Sequence, residues 1–191
     1  MFSEALAMAL RLRSSALVHA TAALGKLFMS LSDLFGVLQR YANPGNANTG
    51  NVEHDYDHVA QNASQSQLSN GLAGAFRSDQ TPAFGQMLGT LFSNSNGQQR
   101  AGILNQLAGA LGPAAAGSIL GKFTGGSTQV TPEQAQQVPP EAVTQLAEQA
   151  HRNDPSILEQ ASNFYAQHPT LIKALGAGSL AMIMSHMSKQ S

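Results

Sequence analysis

Proline placed at the head of an apolar stripe recurs along this chain, and that pairing restricts the fold more than any other feature. Thr81-Pro82, Thr131-Pro132-Glu133-Gln134, Pro139-Pro140-Glu141, Asp154-Pro155-Ser156 and His168-Pro169-Thr170 are the instances. Proline has no amide proton and a φ already near the helical value, so the first turn of a helix accepts it. Inside a helix or a central strand it breaks the hydrogen-bond ladder. Each proline therefore predicts a helix start, and the apolar residues behind it, spaced three and four apart, predict the buried face. The stripes are Phe84, Met87, Leu88, Leu91 and Phe92; Val143, Leu146, Ala147 and Ala150; and Ile157, Leu158, Ala161, Phe164 and Tyr165. Leu171, Ile172 and Leu175 then lead into Leu180, Met182, Ile183, Met184 and Met187.

Upstream, Leu31, Leu34, Phe35 and Leu38 predict a helix ending near Tyr41, before the turn-rich stretch 43–50 that reads as a mobile linker. A second helix, capped by Asn51, carries Val52, Tyr56, Val59, Ala60 and Ala63, and a short third carries Leu68, Leu72, Ala75 and Phe76. Ser95 with Gln98 reads as a capping box for a helix bearing Ile103, Leu104, Leu107 and Leu111. From Ala101 to Gly121 there is no charge, and Gly102, Gly109, Gly112, Gly117 and Gly121 recur among Ala, Leu and Ile. Glycine lowers helix stability by about 1 kcal/mol relative to alanine, so this density implies backbones in near contact, in a core or an oligomer.

These elements predict an all-α fold, a multi-helix bundle or array of short helices with no sheet. The expected organisation is an atypical extension over 1–28, a helical part over 29–123, a Gly/Ser/Thr linker over 124–130, and a second helical part over 131–191 packed on the first. In the extension, Arg11, Arg13 and Lys26 are mixed with Ala, Leu and Ser. That pattern is compatible with a targeting segment, with an amphipathic helix, or, as the reading favoured here, with an upstream start preceding a natural Met29.

With 191 residues the chain encloses a core without staples, and the absence of cysteine excludes disulfides, thiolate catalysis and Cys-based zinc sites. Charged residues are 11%, and ten basic against eleven acidic side chains leave a net charge of -1 with no run of like charge. A phosphate-tracking groove is therefore not expected, nor a nucleic-acid partner. A near-neutral chain with an amide-rich surface also lacks the self-repulsion that keeps monomers apart, so self-association is favoured.

One local cluster carries chemistry: Glu53-His54-Asp55-Tyr56-Asp57-His58. On a helix His54 and His58 share a face, the spacing with which two imidazoles grip a divalent ion, and Asp57 or Asp55 adds an oxygen. The metal candidates are thus His54, Asp57 and His58; the competing and favoured reading makes them solvated side chains beside a helix start. At the other end of the chain, Ala174 to Met187 is apolar nearly all round yet too short to span a bilayer. A buried core helix is the favoured reading, and Leu180, Met184 and Met187 would be the contact residues were this face a partner groove or lipid-facing. No serine elbow, phosphate loop or dinucleotide fingerprint is present, so no catalytic residue and no cofactor is assigned.

Thr81-Pro82-Ala83-Phe84-Gly85-Gln86-Met87-Leu88, Ala101-Gly102-Ile103-Leu104-Asn105-Gln106-Leu107 and Val130-Thr131-Pro132-Glu133-Gln134-Ala135-Gln136-Gln137 resemble the bacterial YidB-like proteins of unknown function. The resemblance covers residues 29–187 and implies a bacterial, all-helical protein, with no reaction and no functional residues. The leading expectation is a non-enzymatic cytoplasmic module that binds a protein partner or itself. The alternatives are a metal-dependent protein centred on Glu53 to His58 and a peripheral membrane protein using its C-terminal helix.

Overall fold

The computed structural model describes residues 32–42, 49–127 and 129–189. Among these the chain is helical throughout, with no strand. Helix α1 covers 32–40, and α2 (Val52–Asn62), α3 (Gln65–Phe76), α4 (Phe84–Ser93), α5 (Gly97–Leu111) and α6 (Pro113–Thr124) follow. The chain continues through α7 (Pro132–Ala135), α8 (Pro140–Asn153), α9 (Ile157–Ala166), α10 (Pro169–Ile172) and α11 (Gly176–Ser188). The extension over 1–28, Met29 and most of the first linker lie outside the described residues.

Pro113, Pro132, Pro140 and Pro169 each occupy the first turn of a helix. At α7 the Thr131 hydroxyl accepts from the Gln134 amide while the Gln134 side chain accepts from the Thr131 amide. Hydrogen bonds from the backbone and from Thr131 hold the Glu133 carboxyl below its usual range at the same turn. Pro82 and Pro155 differ, since α4 begins at Phe84 and α9 at Ile157. The Thr81 hydroxyl donates to the carbonyls of Ala75 (2.5 Å) and Ser78 (3.0 Å), closing the end of α3 instead of opening α4. The capping box of α5 is likewise displaced by one residue, to Asn96 with Gln99. Ser95 donates to Leu91 (2.8 Å) and so belongs to the end of α4. Asn51 makes no side-chain cap; a 3-10 turn over Thr49–Asn51 leads into α2.

The apolar stripes meet in one core. Helix α4 packs on α8, α3 lies between α9 and α11, α5 packs on α7, α8 and α9, and α2 rests on α11. Elements from before and after residues 124–130 thus alternate in space. Glycine permits two of these contacts. A Cβ at Gly85 would lie 2.7 Å from the Thr144 carbonyl oxygen on α8, and one at Gly71 would lie 3.0 Å from that of Ile183 on α11. On α1 the buried side chains are Leu34, Val37 and Leu38, with Tyr41 just past its end, whereas Phe35, predicted to face inward, is 46% exposed.

Arg100 joins α4 to α5. Its guanidinium donates to the carbonyls of Phe92, Ser93 and Ser95 and stacks over the Phe92 ring, satisfying the carbonyls that a helix end leaves open. Residues 124–127, 129 and 130 hold more structure than a linker. Thr124 is the last residue of α6, Gly125 and Gly126 turn the chain at φ +62 and +84, and Val130 is buried. The Asn105 carboxamide donates to the Val130 carbonyl (3.2 Å) and accepts from its amide (2.8 Å), fixing this segment to α5.

Candidate functional site

The Glu53 to His58 cluster occupies the first two turns of α2, and helical spacing divides it between opposite faces. Tyr56 faces the core, where its hydroxyl donates to the Pro169 carbonyl (3.1 Å); burial, aided by the Asp57 charge, pushes that phenol up. Asp55 also turns inward and accepts from the Tyr41 hydroxyl (2.8 Å) and from Arg40 (3.3 Å). Desolvation first, then the hydrogen bond to Asp55, pushes Tyr41 from 10.0 up to about 12. Asp57 accepts from the Lys173 ammonium (2.8 Å), and that hydrogen bond raises the lysine above its ordinary value. His54 is exposed and lines a polar cleft of about 510 Å³ with Glu53, Asp57 and Lys173. His58 is half-buried, and its Nδ1 has no hydrogen-bond partner.

Of the two readings of His54, Asp57 and His58, the shared ion was the less favoured, and the geometry does not add to it. Among the described residues no group of three His, Asp or Glu is placed to hold a metal. Asp57 already faces an ammonium, which neutralises the charge a cation would need.

For the C-terminal helix the favoured core reading holds, and the alternative that made Leu180, Met184 and Met187 contact residues is corrected. They are 0%, 0% and 2% exposed, because α11 is covered by α2 and α3 within the same chain. Gly71 and Gly74 let the Met187 and His186 side chains come against the α3 backbone. Helix α11 is a core helix, and these three residues form neither a partner groove nor a lipid-facing surface. No helix among the described residues is long and apolar enough to cross a membrane.

The uncharged stretch supplies a different feature. Helices α5 and α6 meet at Gly112 (φ +76), and between them and Gly126, Ser127, Gln129 and Val130 lies a groove of about 440 Å³. Ala108, Ala116, Leu120 and Val130 form its apolar walls, and none of the described residues that line it is charged. Thr124, only 4% exposed, also lines it. The glycines of this stretch divide into two kinds. A Cβ at Gly102 would strike the Phe164 ring at 2.8 Å, as close packing requires, whereas a Cβ at Gly109, Gly117 or Gly121 would meet nothing within 4 Å. Of the two settings expected for this glycine run, a core or an oligomer, Gly102 shows the first, whereas Gly109, Gly117 and Gly121 pack against no described residue. Lack of charge from Ala101 to Gly121 marked the region in the sequence; periodicity could not have shown that one side of it stands open.

Comparison of the chain with known protein families, with curated proteins and with solved structures finds no match.

Proposed function

We propose that the protein is a non-enzymatic helical interaction module of the bacterial cytoplasm that associates with a second copy of itself through α6. The YidB-like resemblance is consistent with that reading, which assigns no cofactor, nucleic acid or membrane partner. Its main support is the pair Gly117 and Gly121, one helical turn apart, with open space where their side chains would be. Each glycine lowers helix stability by about 1 kcal/mol relative to alanine, and no contact among the described residues uses the space it leaves. Another helix laid on this face would approach backbone to backbone, since Ala114, Gly117 and Ser118 are exposed, small and uncharged. The near-neutral net charge removes the long-range repulsion that would oppose two copies.

Sedimentation equilibrium of the protein and of Gly121→Leu provides the test. The native chain should show a mass of two or more chains, and the leucine should return it to one without lowering its melting temperature. A single-chain mass for the native protein at high concentration would refute the proposal.

A further inference from the structure

We infer that Asn96-Gly97 is a site of spontaneous deamidation in the folded protein, which turns Asn96 into aspartate and isoaspartate at the corner between α4 and α5. The inference does not depend on self-association, because neither residue belongs to α6.

Asparagine followed by glycine occurs twice in the chain, at Asn70-Gly71 and at Asn96-Gly97. Glycine suits the reaction because it has no side chain to shield its own nitrogen or to restrict the backbone. That nitrogen gives up its proton and bonds to the asparagine Cγ, the bond from Cγ to Nδ2 breaks, and ammonia leaves as a five-membered succinimide closes. Water then opens the ring. Breaking the new bond to Cγ yields aspartate; breaking the old bond to the main-chain carbonyl carbon yields isoaspartate, whose backbone is one carbon longer.

The fold separates the two pairs. Gly71 lies inside α3, buried where that helix meets α11, and its amide is committed to the carbonyl one turn back. Ring closure there requires α3 to unwind. Asn96, in contrast, is exposed and immediately precedes α5. Gly97 is the first residue of that helix, so no carbonyl within α5 holds its amide proton.

The cap assists the attack. The Gln99 amide donates to Asn96 Oδ1 (3.0 Å), the oxygen on which negative charge gathers as the nitrogen approaches Cγ. Asn96 stands at ψ 171, and this angle must turn to bring the Gly97 nitrogen to Cγ. Only the first turn of α5 has to loosen, and a helix end opens at far less cost than the whole fold. Packing favours glycine at this position, since a Cβ on Gly97 would lie 2.9 Å from Gln136 Nε2 and 3.1 Å from the Pro132 carbonyl oxygen.

The two products differ in consequence. Aspartate still accepts at the cap and places a negative charge where a helix start favours one. Isoaspartate lengthens the main chain just after the carbonyls of Phe92, Ser93 and Ser95 that Arg100 grips, so that clasp and the cap no longer fit together.

For the test, the protein is aged in warm, mildly alkaline buffer, either folded or in guanidinium chloride. Trypsin then parts the two sites at Arg77, and mass spectrometry with fragmentation locates the conversion and distinguishes Asn96 from Asn94. In the folded protein Asn96 should convert about tenfold faster than Asn70, and in denaturant the two rates should be similar. Isoaspartate, read as methyl acceptance from an isoaspartyl methyltransferase, should fall several-fold in folded Asn96→Ser, whose serine keeps the cap. Asn96→Asp should melt no lower than the parent, whereas the isoaspartyl fraction should melt lower. Equal conversion of the two asparagines in the folded protein, or conversion of Asn96 only after denaturation, would overturn the inference. None of these readouts depends on how many chains associate, so a failure here and a failure of self-association through α6 are told apart.

Discussion

Raising the pH above 10 should unfold this protein through its tyrosines. All three tyrosines of the chain, Tyr41, Tyr56 and Tyr165, are buried, with exposures of 2%, 0% and 0%. Burial pushes each phenol up from 10.0, Tyr41 to about 12. The native state therefore keeps three protons that the unfolded chain releases near pH 10. Stability is whole below that pH and falls as the pH rises toward the native values. Each retained proton costs about 1.4 kcal/mol per pH unit, so the three together remove about 4 kcal/mol per unit. The raised Lys173 acts in the same direction, its contribution being complete below 10.5 and lost as the pH climbs through its native value. A domain with the usual reserve of roughly 5–15 kcal/mol should then unfold within one to a few pH units above 10. The chain has neither tryptophan nor cysteine, so near-ultraviolet absorbance reports tyrosinate without interference. Tyrosinate should be absent at pH 10 and appear in one cooperative step together with loss of far-ultraviolet circular dichroism. A gradual rise in tyrosinate centred at 10 while helicity persists would refute the burial of these rings.

Two further outcomes follow from the packing. Gly85→Ala should destabilise the protein by up to about 2 kcal/mol in urea denaturation, since overpacking against the Thr144 carbonyl at 2.7 Å exceeds the gain in helix propensity; an increase in stability would show that α4 and α8 separate freely. Tyr41→Phe should cost about 1–2 kcal/mol by leaving the buried Asp55 with the outlying Arg40 alone, and hydrogen exchange should rise first in α1; unchanged stability and exchange would show that the bond does not hold α1.

Helices were legible in the sequence because proline and period act locally. The stripes of α4, α8 and α9 are buried as predicted, apart from the half-buried Phe164. Boundaries were less legible where two helices compete for one residue. Thr81 has the chemistry to cap α4, yet the carbonyls of Ala75 and Ser78 claim its hydroxyl; Ser95 is claimed by Leu91 and leaves the cap to Asn96. Which surface covers a helix is a tertiary matter. The methionines of α11 would look the same against a partner, a lipid or α3, and only the fold shows α3. Asp57 was misread for a similar reason, because its lysine lies far along the chain.

The alternation of early and late helices also governs how the chain must mature. Asp57 meets Lys173 across 116 residues, and Tyr56 meets Pro169 across 113. While a ribosome is making the protein, the oily faces of α2 and α3 emerge long before α11 exists to cover them. Such distant closures slow folding in an otherwise helical molecule and leave the nascent chain open to chaperones, or to aggregation, until α11 arrives.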